Sequence, residues 1–423
     1  MPLLGIVDDI LAISESGSKT SRLNAFINAK TAVKRLQFGP DKCHVMHVGI
    51  DIPNHKKMNL YVDGWQLHEV QSKNTHEIEL QETFDGEHGM EESGNEKYLG
   101  QIISNDGSNV KNVAFRAGKG TGMVNIVENI IKNVPGGKYH FEIAVILRNA
   151  YLISSMLSCS EVWYSVTEGD LRKLEQVDEK LLRKILNCSF QVTNEMLYLE
   201  LGLLPVRYII KLRRLIYLKH VLKQEIRNSL IYQFLIAQVN TPKRKDWAST
   251  VLKDLEEIDI KYDFVQIKNM PDITFEKLCK ENIHKQAFQY LDRKKLSHEK
   301  VKHIEYKKLE MAGYLKPTEL QLSTKDRQFL FQCRVSDIDV KSNRKWKYSE
   351  KHCVSCQNIA IEEMGLHILE CKILSDQNDQ ISYIPEYEDL FGKDIEEQIY
   401  TSRMMQEHMK IRKVIIEAQA KEA

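Results

Sequence analysis

The spacing of hydrophobic residues along this 423-residue chain changes from mainly strand-like to helical after about residue 103. Up to about residue 103, apolar residues fall in short runs separated by turn residues, as in 43–49, 60–70 and 97–104, which is typical of strands. A helical pattern interrupts this part at about 18–36, and from about residue 107 helical spacing continues to the end. The pattern therefore predicts an α+β fold with a β-rich first part and a mainly helical remainder.

Several helices of the second part have recognisable start or stop signals. Thr167-x-x-Asp170 is similar to a capping box, and a helical stripe of core leucine and isoleucine follows at Leu171, Leu174, Leu181 and Ile185. Pro205 predicts a break before a helix over 206–224. The apolar segment 143–159 is interrupted by Arg148 and Asn149, so it predicts a buried helix and not a membrane span. Residues 393–420 predict an amphipathic helix.

Composition narrows the class of protein without deciding it. Hydrophobic residues make up 42% of the chain, charged residues 28%, and the net charge is +1. Any affinity for nucleic acid must therefore come from local basic clusters. Eight cysteines are too few for a disulfide scaffold, and the N-terminal residues have no signal-peptide pattern. We expect a protein of the cytoplasm or nucleus with no membrane partner.

Two adjacent carboxylates, Asp8 and Asp9, lie between apolar arms over residues 3–13. This pattern predicts a hairpin with both aspartates in the bend. Neighbouring carboxylates repel each other, and a divalent cation with a preference for oxygen, Mg²⁺ or Mn²⁺, relieves that repulsion. A purely structural Asp-Asp turn is the alternative.

A second candidate metal site has the spacing Cys353-x2-Cys356-x10-His367-x3-Cys371. The first two residues suit a tight knuckle, and the last two are four positions apart, on one face of a helical turn. Three thiolates and one imidazole complete a tetrahedral zinc site with no open position, so the sequence predicts a structural Zn²⁺. Reduced cysteines without a metal are the alternative.

Two basic clusters are candidates for nucleic-acid contact. Arg344, Lys345 and Lys347 surround Trp346 just before the zinc spacing, and charges interleaved with an aromatic ring suit a single strand. Arg207, Lys211 and Arg214 share a helix face by their spacing. Solvated surfaces are the alternative for both clusters.

The order of motifs resembles the C-terminal part of a non-long-terminal-repeat retrotransposon reverse transcriptase. The resemblance begins at the Asp-Asp hairpin and continues through Gly39-Pro40-Asp41-Lys42-Cys43 and Lys97-Tyr98-Leu99-Gly100. It then follows the segments HFEIAVILR (140–148), SEVWY (160–164), LLRKIL (181–186), EMLYLELG (195–202) and HIEYKKLEM (303–311). It implies a partial palm over 1–103, a helical thumb over 104–225, a helical connecting region over 226–340, a basic segment with a CCHC zinc knuckle over 341–375, and a helical tail over 376–423.

The resemblance also implies a chemistry, which is RNA-directed DNA synthesis by two metal ions on an RNA template and a DNA primer. Asp8 is then the main Mg²⁺ ligand and Asp9 its weaker partner. Lys42 is a candidate either to protonate the leaving pyrophosphate or to stabilise its charge. Tyr98 belongs to the grip on the primer, and the basic residues at 207, 211 and 214 follow the primer–template duplex. Ile6 departs from the family, which usually has an aromatic residue at this position. The position lines the primer–template pocket in the family, so the departure bears on nucleotide selection more than on metal binding.

The family's fingers and an earlier palm aspartate precede the Asp-Asp hairpin and have no counterpart in this sequence. We therefore expect no polymerase activity from this chain alone. Two hypotheses remain: the C-terminal portion of a polymerase, active when joined to the rest, or a non-catalytic, zinc-dependent nucleic-acid-binding remnant of a retrotransposon.

Overall fold

The structure is a computed structural model in which part of the chain is described. The described residues are 3–6, 9–12, 22–23, 25–27, 29, 33, 44–46, 61–62, 65–66, 68–70, 95–98, 100–104, 106–133, 137–227, 229–241, 246–317, 322–338, 340, 352–353, 355–356, 365–371, 374, 386–391 and 394–422. The chain divides into two compact units, Met1–Phe115 and Arg116–Ala423. The predicted division at 103 lies close to this boundary, whereas those at 225, 340 and 375 fall inside the second unit.

The short apolar runs predicted strands, and the described strands of the first unit pair in two-stranded sheets. The strands β1 to β8 are Leu3–Ile6, Asp9–Ala12, His44–Met46, Tyr61–Val62, Trp65–Gln66, His68–Val70, Asn95–Tyr98 and Gln101–Ser104. β1 pairs with β2, β4 with β5 and β7 with β8, all antiparallel, while β3 and β6 are parallel. The apolar run 97–104 therefore contains the end of β7 and the whole of β8, which form a hairpin.

The register of the first hairpin corrects one detail of the prediction. Ile6 pairs with Asp9, so residues 7 and 8 connect the two strands and Asp9 already belongs to β2. The expectation placed both aspartates in the bend. Two-residue connections are the commonest in hairpins, and the pairing of Ile6 with Asp9 leaves Asp9 in the ladder.

The second unit is helical in its described parts. The helices α1 to α12, the first of which begins within the first unit, are Val110–Asn133, His140–Leu147, Glu168–Leu186, Asn194–Leu201, Val206–Lys223, Leu230–Asn240, Trp247–Glu257, Phe264–Asn269, Asp272–Lys295, Thr324–Arg334, Gly365–Glu370 and Ile395–Glu422. Short 3₁₀ turns lie at Ser160–Val162, Gln224–Arg227, Gly313–Leu315 and Tyr387–Phe391. α5 packs against α3, α7 and α9, so the segments predicted as thumb and connecting region share one core.

α3 begins as its sequence predicted. The Thr167 hydroxyl accepts a hydrogen bond from the Asp170 backbone amide at 3.1 Å, which satisfies one of the free donors of the first turn. Leu174, Leu181 and Ile185 are buried, and Leu171 is half-buried. The helix therefore docks through the stripe that its spacing defined.

The apolar segment after residue 140 is neither wholly buried, since Ile146 is 63% and Tyr151 44% exposed, nor one regular helix. After α2, the residues Arg148–Ile153 form a π-helical turn, and a last helical turn follows at Ser154–Met156. Arg148 is only 1% exposed, so the residue that interrupts the apolar run points into the core. Among the described residues, no helix has both the length and the apolarity needed to cross a membrane.

Candidate metal centre

The four residues with metal-ligand spacing come together in the structure. The ligand atoms of Cys353, Cys356, His367 and Cys371 all lie within 4.8 Å of one another. Cys353 Sγ is 3.9 Å from Cys371 Sγ, and Cys356 Sγ is 3.5 Å from His367 Nε2. Each of these two contacts joins a cysteine of the first pair, Cys353 or Cys356, to a residue of the second pair, His367 or Cys371.

These distances fit a single zinc ion. Tetrahedral ligands at about 2.3 Å for sulfur and about 2.0 Å for nitrogen place two sulfurs about 3.8 Å apart and a sulfur about 3.5 Å from the nitrogen. The observed separations of 3.9 Å and 3.5 Å agree with both values. The cluster can therefore hold a structural zinc, with four protein ligands and no position for a reacting water.

Burial opposes a thiolate at one of the four residues. Cys353 and Cys371 are buried, and burial raises the pKa of the Cys353 thiol to about 12. A positive charge beside this sulfur compensates the loss of solvation and favours the thiolate. A zinc ion supplies that charge and displaces the proton.

The remaining cysteines of the described chain show no comparable cluster. Cys279 and Cys333 are fully buried, as expected for core residues, and burial raises the pKa of Cys279 to about 12. Cys159 is exposed and unpaired with any cysteine. Their structural or incidental character agrees with the expectation.

The second half of the metal motif rests on the C-terminal helix. His367 lies in α11, Cys371 follows directly after it, and α11 packs against α12. His408 of α12 is fully buried, with Nδ1 2.8 Å from the Ile368 carbonyl oxygen. Burial lowers the pKa of His408, an effect that the hydrogen bond to Ile368 opposes. Sequence spacing gave no indication of this contact, because 40 residues separate the two partners.

The predicted magnesium site is only partly within the described chain. Asp8 and Lys42 lie outside the described residues, and for Asp9 the backbone alone is described, in β2. A Mg²⁺ or Mn²⁺ ion held by Asp8 and Asp9, with Lys42 nearby, stays a prediction.

The basic segment before the zinc spacing, Arg344, Lys345, Trp346 and Lys347, also lies outside the described residues. Tyr98, the residue expected in the primer grip, ends β7 and is half-buried. Its hydroxyl is enclosed and has no hydrogen-bond partner in the described structure. Its predicted contact with nucleic acid stays a prediction.

The helix face of Arg207, Lys211 and Arg214 is not the open basic surface that the sequence predicted. Arg207 Nε donates to Glu175 Oε1 at 2.6 Å, and this pairing, against the effect of burial, raises the pKa of Arg207. Lys211 is 8% exposed and forms an ion pair with Glu257.

Arg214, the third basic residue of this face, is also bound by neighbouring groups. Its Nε donates to Asp254 Oδ2 at 2.7 Å and its Nη1 to the Trp163 carbonyl at 3.2 Å. Burial raises the pKa of Asp254 although Arg214 opposes that rise. The three cations share a face, as their spacing indicated, but that face points towards acids of α3 and α7, which neutralise its charge.

Two buried polar networks in the core had no counterpart in the sequence analysis. Arg148 forms a two-pronged ion pair with Asp178 (2.7 and 2.6 Å), and Tyr198 Oη donates to the same carboxylate at 3.2 Å. In the second network Glu200, fully buried, accepts from the residues Tyr306 at 2.5 Å, Tyr314 at 2.8 Å and Arg334 at 3.1 Å.

The second network joins two segments that were singled out in the sequence. Glu200 belongs to EMLYLELG and Tyr306 to HIEYKKLEM. A backbone bridge between Leu201 and Met311 connects the same segments. Glu200 and Tyr306 therefore have a structural role in the core.

Comparison of the chain with protein-family models, with curated proteins and with solved structures finds no match. The metal centre is thus interpreted from its own geometry.

Proposed function

We propose that this chain is the C-terminal part of a non-long-terminal-repeat retrotransposon reverse transcriptase, and that its own activity is zinc-dependent binding of single-stranded nucleic acid. The observation that carries the proposal is the convergence of Cys353, Cys356, His367 and Cys371 at distances that fit one zinc ion. Supporting it is the order of sequence motifs on which the family resemblance rests.

The position of the basic segment connects the metal centre to nucleic acid. Lys347 precedes Cys353 by six residues, and a fully extended chain covers about 3.5 Å per residue. The Cα atom of Lys347 is therefore no more than about 21 Å from the Cα atom of the ligand Cys353. A fixed zinc knuckle thus anchors one end of the segment that carries Arg344 and Trp346.

The division of labour follows from the ligand set. When bound, a zinc ion with four protein ligands cross-links the two halves of the knuckle and supplies no reactive water. Arg344, Lys345 and Lys347 compensate phosphate charges, and Trp346 stacks on a base. Recognition of this kind tolerates different sequences, because phosphates and aromatic base faces are common to all nucleotides.

The test is the affinity of the zinc-loaded full chain for a fluorescently labelled single-stranded RNA, measured by anisotropy at several salt concentrations. Replacing Arg344, Lys345 and Lys347 by alanine together should reduce the dependence of log affinity on log salt by about 2, at about 0.7 per lost phosphate contact. Trp346→Ala should weaken binding by about 1–3 kcal/mol.

A control variant carries alanine at Lys277 and Lys280, two exposed lysines of α9 that form ion pairs within their own helix. It should bind RNA as the parent chain does. Equal RNA affinity with and without zinc would contradict zinc-dependent binding, and an unchanged salt dependence in the triple variant would exclude the basic segment as the contact.

Two-metal nucleotidyl transfer is the second candidate, with Asp8 and Asp9 as metal ligands and Lys42 beside the leaving group. It rests on the adjacency of Asp8 and Asp9 in the sequence and on the family resemblance. The activity needs the chain joined to fingers and the earlier palm aspartate. In such a fusion Asp8→Ala should abolish primer extension and leave RNA binding unchanged; extension that survives the substitution would rule out this role.

A further inference from the structure

A buried histidine of the C-terminal helix contacts the metal motif without being one of its ligands. His408 is 0% exposed, and its Nδ1 lies 2.8 Å from the carbonyl oxygen of Ile368. Ile368 directly follows the ligand His367 and is itself fully buried. A carbonyl oxygen only accepts, so Nδ1 carries the proton and donates it.

This carbonyl is one that the local helix leaves unsatisfied. α11 ends at Glu370, so Ile368 is among the last four residues, whose carbonyls have no partner within the helix. A buried carbonyl without a hydrogen bond is destabilising. His408 therefore caps the C-terminal end of α11 from a helix that lies 40 residues further along the chain.

The capped turn carries half of the metal ligands. His367 lies within it and Cys371 is the residue after it, and each contacts one cysteine of the first half of the motif. Fixing the end of α11 therefore fixes the separation of the second pair of ligands. The hydrogen bond from His408 therefore connects α12 to the turn that carries two of the four ligands.

The rest of the buried face of α12 shows that His408 belongs to a docked surface. Thr401, Met405, His408 and Arg412 are all buried and follow one another at steps of four, three and four residues. α12 packs with this face against α11, α10 and the 3₁₀ turn Tyr387–Phe391. His408 donates the hydrogen bond by which this docked face reaches the ligand-bearing turn.

We propose that His408 is a positioning residue for the zinc knuckle, and that it couples zinc binding to the docking of the C-terminal helix. By linkage, whatever docked α12 contributes to zinc affinity, zinc contributes equally to the docking of α12. The inference rests on the metal centre and is independent of nucleic-acid binding, so its test contains no nucleic acid.

The experiment uses the full chain and two substitutions at one position. His408→Leu keeps an apolar side chain of similar bulk and removes the donor, whereas His408→Asn keeps an N–H close to the position of Nδ1. Lys410→Ala, on the exposed side of the same helix, is the matched control. Zinc affinity is measured by competition with a chromophoric chelator, and the exchange of the amides of 395–422 by hydrogen–deuterium exchange with and without zinc.

Loss of a hydrogen bond that orients metal ligands typically lowers metal affinity by about 10–100-fold. We expect about a tenfold loss in His408→Leu, a loss of less than about threefold in His408→Asn, and parent affinity in Lys410→Ala. In the parent chain zinc should slow exchange throughout 395–422, and it should do so less in His408→Leu.

Zinc affinity of His408→Leu within twofold of the parent, or exchange over 395–422 that zinc leaves unchanged, would overturn the proposal. An asparagine variant as weak as the leucine variant would overturn the assignment to the donated hydrogen bond. If His408→Leu does not fold, the comparison of zinc-loaded and zinc-free parent chain still decides whether α12 is coupled to the metal. Failure of RNA binding alone bears only on the proposed function.

Discussion

The ion pair between Arg148 and Asp178 gives the sharpest prediction about the helical core. Arg148 is 1% exposed and Asp178 is 0% exposed, and two hydrogen bonds of 2.7 and 2.6 Å connect them. Burial lowers the pKa of Arg148, but the charge and the hydrogen bonds of Asp178 outweigh burial and raise it. The guanidinium is therefore charged inside the core and depends on one carboxylate.

Asp178→Asn keeps the shape of the side chain and removes its charge. Breaking a buried pair by removing one partner costs about 3–5 kcal/mol, because the remaining charge is left without compensation. We expect the free energy of unfolding to fall by about 3 kcal/mol, since the amide oxygen still accepts one hydrogen bond. That is a large fraction of the roughly 5–15 kcal/mol by which folded proteins are stable.

Urea unfolding followed by circular dichroism measures this difference. The midpoint should fall while the slope against urea stays unchanged, because the surface exposed on unfolding is the same. Glu281→Gln, in an exposed ion pair with Lys277 on α9, is the control and should leave the midpoint in place. A double variant, Arg148→Met with Asp178→Leu, should recover much of the loss. A loss below about 1 kcal/mol in Asp178→Asn would refute the buried-pair argument.

Three further predictions concern a glycine, the metal and pH. Gly202→Ala should destabilise the second unit by roughly 2–5 kcal/mol in urea unfolding, because φ of Gly202 is +65° and a Cβ would lie 2.2 Å from the Met311 backbone nitrogen. Gly118→Ala, with open space around it inside α1, should stabilise the chain by up to about 1 kcal/mol. Equal effects of the two substitutions would contradict this contrast. Chelation of zinc should lower the thermal midpoint of the parent chain and leave Cys371→Ser unchanged; a parent midpoint indifferent to chelator would show that the cluster is not a structural zinc site. Burial, with Arg327 nearby, lowers the pKa of His140, so folding favours its neutral form. This contribution to stability is complete above about pH 6.5 and is lost as the pH falls through the lowered pKa. The unfolding free energy between pH 7 and 5 should therefore depend less steeply on pH in His140→Gln than in the parent, and parallel curves would contradict the assignment.

Local signals predicted those elements whose cause is local. Thr167 and the leucine stripe defined α3, and Pro205 marked the start of α5, because capping and proline geometry act within one turn. The π-helical turn after α2 was missed. Its inward Arg148 needs Asp178, and a partner 30 residues away leaves no mark on the spacing of apolar residues.

The same distinction separates the parts of the candidate site. Cysteine and histidine spacing identified the four residues of the metal cluster, since the two ligands of each half are close in sequence. Spacing also placed Arg207, Lys211 and Arg214 on one face correctly, but it could not show what that face meets. The acids that neutralise them come from two other helices, α3 and α7, and the hydrogen bond to the metal motif comes from His408 of α12.

X-ray absorption at the zinc edge of the purified, zinc-loaded chain tests the metal centre most directly. The account predicts one zinc per chain with three sulfurs at about 2.3 Å and one nitrogen at about 2.0 Å, and loss of one sulfur in Cys353→Ser. A chain that retains no zinc, or a spectrum dominated by oxygen ligands and unchanged in Cys353→Ser, would contradict it.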